Sequence, residues 1–596
     1  MVTIPAGTAV SFARSRFIGA AVLASLAFLS LSTRTLQAQD SVIVIDPDAP
    51  ASDTVDRGGL PPEILNELLR VFNDTSTVRL SGNFTLPATG RLVGTVAVYR
   101  GTVRIGGTVE GPLTVINGDL VILPGGDVRG DILLAGGRLS KLEGGTHEGS
   151  LRVYWDAAQV TRTIDGELVV RERRRPLGDL ASAQKSFQTG RIRTTLLLAT
   201  NQTYNRIEGL PVIFGPAFDW RASDRTFGRV ELRGILRTAG DNSSFRRDFG
   251  YSLRTDWRFS GLKGYGFGLR AYDLVEGIEE QSLPRDEIGW SAFLLQRDNR
   301  DYFLTQGAGG HLFGYLSHSL RLEASARYEN ESSVRATDPW SLFRNSDRWR
   351  PNPLIDDGHY TILGGALDLD TRNSRDNTTV GWWVRARYEH ASTNDVAPAN
   401  VPTAVRSPLP TNAYKFDHFS LDARRYNRLS PSSRVDFRLW AGGWLAGDPL
   451  PVQRRLSLGG IDMLPGYSFR RFTCAPAGLN DPAATALCDR AIILQAEFRS
   501  RLSLGLGYSY RDPQRRDLDR FIGINEADLV IFADGGDTWL SGNGPGRVPS
   551  NRIPSLKEWK GDVGVGLDAG GIGAYLAKAL TDGQPLRFFV RLQRRF

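Results

Sequence analysis

Sulfur-containing residues are scarce in this sequence, which has two cysteines and two methionines among 596 residues. Two cysteines are too few for a disulfide-framework fold or for a zinc domain with several cysteine ligands. The six histidines are scattered and do not show the spacing of a metal site. Only one apolar run, close to the N-terminus, approaches the length of a membrane-spanning helix. The sequence therefore excludes a bundle of membrane helices, and we expect no cofactor or metal.

Clustered charge is also missing, although the formal net charge is +8. Most basic residues are arginines that alternate with apolar residues instead of forming a patch, which argues against nucleic acid as a partner. The chain does contain 65 glycines, and 10% of its residues are aromatic. This composition is typical of a β-rich protein with many turns and differs from that of a disordered chain.

The N-terminus has the pattern of a secretory signal peptide. Two arginines precede an apolar stretch over residues 17–31, and the small residue Ala38 follows it closely. Arg34 ends the apolar stretch early, which argues against a membrane anchor. We predict a signal peptide over residues 1–39 and an exported mature protein.

Residues 40–77 are predicted to form a linker and a short helix. The first part is rich in Asp, Pro, Ala and Gly, which is typical of a flexible segment. Pro61 and Pro62 then open an amphipathic helix that we expect to run to about Asn73. Its apolar residues recur at helical spacing: Ile64, Leu65, Leu68, Leu69 and Phe72. We interpret this helix as a cap on the next domain.

A repeat follows over residues 78–160. Glycine pairs stand at 106–107, 125–126 and 144–145, a period of about 19 residues that is typical of a solenoid. Short β-branched strands lie between the glycines, so each coil would bury its apolar face against its neighbours. This segment resembles the bactofilin-like, polymer-forming β-helix. The resemblance implies end-to-end self-assembly. The alternatives are a periplasmic plug or docking module of three or four coils and a generic glycine-rich sheet. We place this domain in the periplasm because the protein is predicted to be exported, and a linker over residues 161–190 would join it to the rest of the chain.

From residue 191 to residue 596 the sequence alternates between apolar and charged residues. Val435, Phe437 and Leu439, for example, are separated by Asp436 and Arg438. Apolar residues facing lipid and charged residues facing a wet lumen are typical of a transmembrane antiparallel β-barrel, which must close on itself. We predict an all-β fold with about sixteen barrel strands, starting near residues 191, 208, 226, 247, 265, 287, 305, 319, 359, 380, 416, 433, 491, 526, 562 and 586.

Two motifs in the barrel region narrow the prediction. The first is a Leu-Gly-Gly turn followed by Gly-Tyr within residues 454–472, formed by Leu458, Gly459, Gly460, Leu464, Pro465, Gly466 and Tyr467. The second is a Phe-x-Asp-x-Gly strand formed by Phe532, Asp534 and Gly536. Together they resemble the inward-folding loop and the loop-contacting strand of the BamA/TamA family of bacterial surface antigen barrels.

Three weaker motifs extend the resemblance over most of the barrel region. They are the Asp-Thr-Arg-Asn segment 370–373 followed by Gly381, the Asn-Arg-Ile-Glu-Gly segment 205–209, and the glycines at 564 and 566. The resemblance implies a Gram-negative outer-membrane barrel whose long inward loop folds into the lumen.

The sequence departs from the family pattern in two places. Where the family has an arginine that pairs with the Asp of Phe-x-Asp-x-Gly, this chain has Pro465. We expect Asp534 to hold the inward loop through another arginine, because a carboxylate in a partly dry lumen requires a cation; the candidates are Arg470, Arg471 and Arg499. In addition, residues 78–154 do not have the α/β pattern of the POTRA repeats with which the family captures client proteins.

Cys474 and Cys488 are predicted to form a disulfide. Both follow the Leu-Pro-Gly-Tyr turn, and export would place them in an oxidising compartment. Two unpaired, exposed thiols are the alternative.

No catalytic motif is apparent, and we predict no enzymatic activity. The chain has no Gly-x-Ser-x-Gly sequence. Five histidines are candidates for a hydrolase on the barrel wall only in principle, and we interpret them as solvated or lumen residues: His311, His318, His359, His390 and His418.

The function that these patterns favour is outer-membrane protein assembly or transport. The partners would be outer-membrane lipid and either client proteins or a periplasmic protein. The alternative is a passive porin or a structural outer-membrane anchor whose β-helix binds a periplasmic partner.

Overall fold

The computed structural model describes residues 60–595. Within that range it leaves out residues 155–156, 159, 163–166, 171–181, 201–203, 224, 240–247, 261–263, 280–284, 318, 344–347, 374–377, 431, 477–484, 512–518 and 570–571. The predicted signal peptide and residues 40–59 of the predicted linker lie outside the described residues.

The predicted amphipathic helix is confirmed as α1 (Pro62–Asn73). A proline at its first turn fits the fixed backbone angle needed there and sacrifices no helical hydrogen bond. Leu68 and Phe72 are fully buried against the next domain, where the Phe72 ring meets the Tyr99 ring edge-on at 6.0 Å. The helix therefore covers an apolar side of the solenoid.

One ion pair ties α1 to the last coil of the solenoid. The carboxylate of Glu67 lies 2.6 Å from the guanidinium of Arg152. The hydrogen bond from Arg152 holds the pKa of the Glu67 carboxyl below its ordinary value.

The predicted solenoid is confirmed as a stack of parallel coils. Val98, Val115 and Leu134 lie side by side in register and are fully buried. Glycine at the corners is a steric requirement, because a Cβ on Gly126 would lie 2.1 Å from the carbonyl oxygen of Ile105 in the adjacent coil. The solenoid strands are β1 (Val78–Ser81), β2 (Phe84–Leu86), β3 (Arg91–Val93), β4 (Val96–Ile105), β5 (Thr108–Glu110), β6 (Leu113–Ile122), β7 (Asp127–Arg129), β8 (Ile132–Ala135), β9 (Leu139–Lys141), β10 (Thr146–Glu148) and β11 (Leu151–Tyr154).

The interval 161–190, predicted as a linker, contains regular structure. An antiparallel pair, β12 (Val160–Arg162) and β13 (Leu168–Val170), packs against α1. Asn73 fixes this pair, since its side chain exchanges two 2.7 Å hydrogen bonds with the backbone of Leu168.

The predicted barrel sheet is also confirmed, and over the described residues it contains eighteen strands in chain order. Every pairing between its successive strands is antiparallel except that of β28 with β27. The strands are β14 (Ser182–Thr189), β15 (Ile192–Ala199), β16 (Val212–Ser223), β17 (Thr226–Leu236), β18 (Phe249–Phe259), β19 (Tyr265–Ile278), β20 (Asp301–Tyr315), β21 (Leu320–Ser333), β22 (Gly358–Asp370), β23 (Gly381–Thr393), β24 (Tyr414–Ser430), β25 (Ser433–Gly447), β26 (Arg490–Arg511), β27 (Asp519–Ser541), β28 (Arg547–Val548), β29 (Lys560–Ala569), β30 (Ile572–Ala579) and β31 (Arg587–Arg591).

The strand predicted near residue 287 is wrong, because that segment is the helix α2 (Arg285–Leu295). Ile288 and Ala292 stand four residues apart and are both buried, so the burial follows a helical period and not the period of two. Three further strands were not predicted from the sequence: β14, β30 and the two-residue β28. Among the described residues, neither α1 nor α2 combines the length and apolar character that a bilayer-spanning helix needs.

The strand connections divide the barrel into two ends. At the short-turn end the strands are joined by connections such as 190–191, and at the long-loop end by segments such as 394–413 and 542–559. The solenoid contacts the short-turn end, where Arg428 of β24 lies 2.9 Å from the Asp119 carboxylate of β6. Arg428 also donates a hydrogen bond to the carbonyl of Gly136.

Burial in the barrel is reversed relative to a water-soluble protein. On the outward face, Leu312 is 65% exposed and Phe588 is 67% exposed. On the inward face, Asp436 is 0% exposed and Arg499 is 2% exposed. The alternation predicted from the sequence thus places apolar side chains outside and charged side chains inside.

Candidate functional site in the barrel lumen

The segment between β25 and β26, which we call the inward loop, is described over residues 448–476 and 485–489. Its residues 456–472 fold into the lumen as a narrow hairpin. Isolated bridges join Leu456 to Cys488, Leu458 to Phe472 and Gly460 to Leu464. The turn requires glycine at two positions, since Gly459 and Gly460 have φ values of +114° and +111°. The other residues of the predicted motif are buried: Leu458, Leu464, Pro465, Gly466 and Tyr467.

The tip of the inward loop is fixed to the wall formed by β29 and β30. The backbone N–H of Gly466 donates a 2.7 Å hydrogen bond to the Asp562 carboxylate, and the Tyr467 hydroxyl lies 2.5 Å from the hydroxyl of Thr581. A Cβ on Gly466 would lie 2.6 Å from the backbone nitrogen of Ala579. Only glycine fits this close approach of two backbones.

Arg470 fixes the same loop to the opposite side of the barrel. Its guanidinium lies 2.6 Å from the Glu279 carboxylate and also bonds to Asp301 at the start of β20. Asp301 receives two further guanidinium groups, from Arg206 at 2.8 Å and from Arg350. The buried Asp301 carboxylate therefore pairs with arginines from three segments of the long-loop end: the inward loop and the segments that carry Arg206 and Arg350.

A third contact joins the loop to β26 and to the last strand. The Gln495 amide donates hydrogen bonds to the carbonyls of Asp462 at 3.2 Å and Met463 at 3.1 Å. The Asp462 carboxylate lies 3.1 Å from Arg591 of β31. With the contacts at Gly466 and Arg470, the loop is attached on several sides of the lumen.

The stem of the loop is held by charge as well. Arg454 lies 2.6 Å from Glu331 of β21 and 3.2 Å from Glu389 of β23. Arg455 lies 3.0 Å from Asp489 at the other end of the loop. The fixed stem restricts the paths by which the tip can leave the lumen.

The structure corrects the predicted partner of Asp534. This carboxylate faces the lumen, as expected, but it pairs with Arg595, which follows β31. It lies beside Asp562 in the register of β27 and β29, so it is next to the carboxylate that accepts the Gly466 N–H. Asp534 thus supports the loop's anchoring strand and does not bind an arginine of the loop.

The three predicted arginines have other roles. Arg470 does anchor the loop, but to Glu279 and Asp301. Arg499 pairs with Glu497 and lies 2.7 Å from Asp568. The Arg471 side chain is exposed.

The remaining residues of the Phe-x-Asp-x-Gly motif shape the wall behind the loop. The Phe532 ring packs against the Tyr575 ring and lies 3.8 Å from the Arg595 guanidinium. At Gly536 a Cβ would lie 2.4 Å from the carbonyl of Ile492 on β26. This glycine therefore allows β26 and β27 to pack closely.

The weaker motifs occupy structural positions in the barrel. Arg206 is fully buried and lies 3.3 Å from Asp298 in addition to its contact with Asp301. Arg372 and Asp370 form an ion pair at 2.8 Å at the short-turn end. The role of Arg206 was missed because a single arginine in a loop gives no signal of its partners, which lie more than 90 residues away.

Cys474 and Cys488 are joined by a disulfide across the base of the inward loop. The bond closes a loop of about 15 residues, worth about 3 kcal/mol in the chain-entropy description. We expect the denatured, unreduced protein to contain no reactive thiol and the reduced protein to contain two. Mass-spectrometric counting of maleimide adducts checks this; two adducts without reductant would contradict the bond.

Four of the five histidines named above lie beside carboxylates. The distances are 3.1 Å for His311–Asp256, 2.6 Å for His359–Asp395, 2.8 Å for His390–Asp417 and 3.7 Å for His418–Glu389. His318 lies outside the described residues. In the part of the chain that the structure describes, no group of three or more His, Cys, Asp or Glu residues could hold a metal ion.

Fold and site together define an antiparallel β-barrel whose lumen is crossed by an anchored loop. Comparison with protein families finds no match, and no curated protein matches the sequence. Among solved structures, BamA from Haemophilus ducreyi lacking POTRA domains 1–3 is similar, with 12% identity, a TM-score of 0.39 and coverage of 69% of this chain and 74% of that chain.

CdiB is similar at a lower score. The protein from Acinetobacter baumannii matches with 11% identity and a TM-score of 0.30, over 70% of this chain and 65% of that chain. CdiB from Escherichia coli matches with 11% identity and a TM-score of 0.29, over 68% and 62%. This chain thus spans less than two thirds of either CdiB chain. These similarities describe the fold at low identity and assign no residue a role.

Proposed function

We propose that the protein is an outer-membrane β-barrel of a Gram-negative cell that acts in the assembly or transport of outer-membrane proteins, with its solenoid in the periplasm. The observation that carries the proposal is the inward loop, which crosses the lumen and is anchored to both sides by Gly466 and Arg470. An open porin does not require such a crossing. Several residues that fix the loop are buried charges, and burying a charge destabilises the fold unless an opposite charge pairs with it.

The outward face supports a membrane location. Large apolar side chains are exposed along the outward faces of strands from β15 to β31, among them Leu269, Leu312 and Phe588. A contiguous apolar surface of this extent is unfavourable in water and favourable in hydrocarbon. The inward ion pairs complete the pattern of a barrel with lipid outside.

Planar-bilayer recordings test the plugged lumen. We expect the purified protein to give small, fluctuating conductance, because the inward loop occupies the pathway. A large, steady, ohmic conductance would contradict this and favour the passive porin.

Depletion of the protein in its own cell tests the assembly role. We expect a broad loss of other outer-membrane barrels from the membrane fraction, reversed by a plasmid copy of the wild-type gene. An unchanged outer-membrane protein profile would contradict the role in assembly.

A structural anchor is the second candidate, and the N-terminal domain favours it. A solenoid stands where POTRA repeats would be expected, and it contacts the short-turn end through Asp119 and Arg428. In this alternative the solenoid binds a periplasmic partner while the barrel holds it at the membrane. Crosslinking from the exposed face of the solenoid would then recover one periplasmic protein, while the outer-membrane profile stays unchanged after depletion.

A further inference from the structure

An apolar groove of about 630 Å³ lies on the outward surface of β26, β27, β29 and β30. Its floor includes Ala496 and Ala533, and its side is formed by larger residues that include Phe498, Ile531 and Leu576. Lys578 also lines it. The groove is separate from the lumen, because these residues point away from the buried face that carries Asp534.

The register of the sheet explains why a groove forms at this place. Ala496 and Ala533 are direct neighbours across β26 and β27, so two small side chains lie together on the outward face. The next outward row toward the short-turn end contains only large side chains, with Phe498 beside Ile531. Gly535, the next outward position on β27 toward the long-loop end, has no side chain. The depression at Ala496 and Ala533 therefore lies between this row of large side chains and the Trp559 ring, which is 3.9 Å from the place that a Cβ on Gly535 would take.

Lys578 places a positive charge at the same level. It pairs in register with Val563, and its side chain lies on the exposed face of β30. Its ammonium donates a 2.5 Å hydrogen bond to the carbonyl of Gln584 in the connection 580–586 at the long-loop end. An ammonium has three donors, so this carbonyl satisfies one of them.

We propose that the groove binds one acyl chain of an anionic lipid, with the lipid phosphate on Lys578. The inference rests on the proposed membrane location. A lysine on the lipid-facing side of a barrel is unfavourable unless it reaches the interface, and a phosphate there supplies the opposite charge. An empty apolar depression in the bilayer would forfeit dispersion contacts that an acyl chain restores. The lipid would lie in the leaflet at the long-loop end.

Native mass spectrometry of the full-length protein in mild detergent tests the proposal with defined lipids. We expect one retained equivalent of phosphatidylglycerol or of lipid A, and about tenfold weaker retention of a diacylglycerol, which has acyl chains but no phosphate and so loses roughly one charge-assisted hydrogen bond. Retention of only one anionic lipid would identify the source of the phosphate. Equal retention of diacylglycerol would overturn the role of Lys578.

Two variants separate the groove from general lipid adhesion. Ala533→Trp fills the groove from the outward face and is expected to remove the retained lipid, whereas Ala326→Trp, on an outward position of β21, is the matched control and is expected to keep it. Lys578→Gln is expected to remove the preference for anionic lipid. If Ala533→Trp retained lipid as Ala326→Trp does, the groove would not be the site.

The outcome is independent of the function proposed above. Membrane fractionation of the wild-type protein first decides whether it lies in the outer membrane, and a soluble protein would overturn both proposals. A membrane-located protein that retains no anionic lipid would overturn only the lipid site.

Discussion

Arg470→Met is expected to detach the inward loop from β19 and β20 and to raise the conductance of the barrel. The Arg470 side chain is 3% exposed and lies between two carboxylates, Glu279 and Asp301. Removing one partner of a buried ion pair typically costs about 3–5 kcal/mol, because the remaining charge stays buried. Methionine fills similar space without the charge, so the loss is electrostatic. Single-channel recording should show larger and longer openings than the wild-type protein.

The control for this variant is its neighbour. Arg471→Met removes an exposed guanidinium from the same loop and is expected to leave conductance unchanged. A folded barrel that resists SDS runs faster on a gel before heating than after it. The gel mobility of unheated Arg470→Met is therefore measured in parallel, and mobility as slow as that of the heated protein would show that the variant barrel does not fold. A folded Arg470→Met barrel with wild-type conductance would show that this anchor does not keep the lumen closed.

Gly466→Ala is expected to displace the tip of the loop from β29 and β30. The new Cβ would lie 2.6 Å from the Ala579 nitrogen and 2.7 Å from the Asp562 Cβ. Both atoms are held by the strand backbone, so neither can move aside as the end of a long side chain could. Overpacking of this kind typically costs about 1–3 kcal/mol. The 2.7 Å hydrogen bond from Gly466 to Asp562 would break at the same time. We expect increased proteolysis within the loop and increased conductance.

A matched glycine elsewhere in the barrel isolates the steric effect. A Cβ on Gly365 of β22 would meet nothing within 4 Å, so Gly365→Ala should behave as wild type.

If Gly466→Ala and Arg470→Met both act by releasing the same loop, their combination should conduct about as much as the stronger single variant, since contacts that share an element are not additive. Purely additive conductance would indicate that the two residues control different openings.

Local patterns in the sequence predicted a large part of this architecture. The helical spacing of Leu68 and Phe72 predicted α1, and the glycine period predicted the solenoid, because both signals lie within one or two neighbouring elements. Strand alternation predicted which side chains of the barrel face outward. The pattern failed at α2, where Ile288 and Ala292 were too few to distinguish a helical period from that of a strand.

The partners inside the lumen required the tertiary structure. The sequence placed Asp534 on the inward face, but its bond to Arg595 depends on how the chain turns after β31. Arg470 was among the candidate arginines, yet its carboxylate Glu279 is 191 residues away along the chain. Inside the lumen several arginines lie near several carboxylates, and the path of each loop selects the pairs.

The sequence by itself determined α1, the solenoid repeat, most of the barrel strands, the outward apolar face, the glycine turn of the inward loop and the position of both cysteines. These features depend on residues that are close in the chain or alternate along one strand. Only the tertiary structure decided which wall each loop residue contacts and where the outward surface is hollow. The groove at Ala496 and Ala533, for example, exists because the register of two strands brings two small side chains together, and the strand sequences alone do not specify that register.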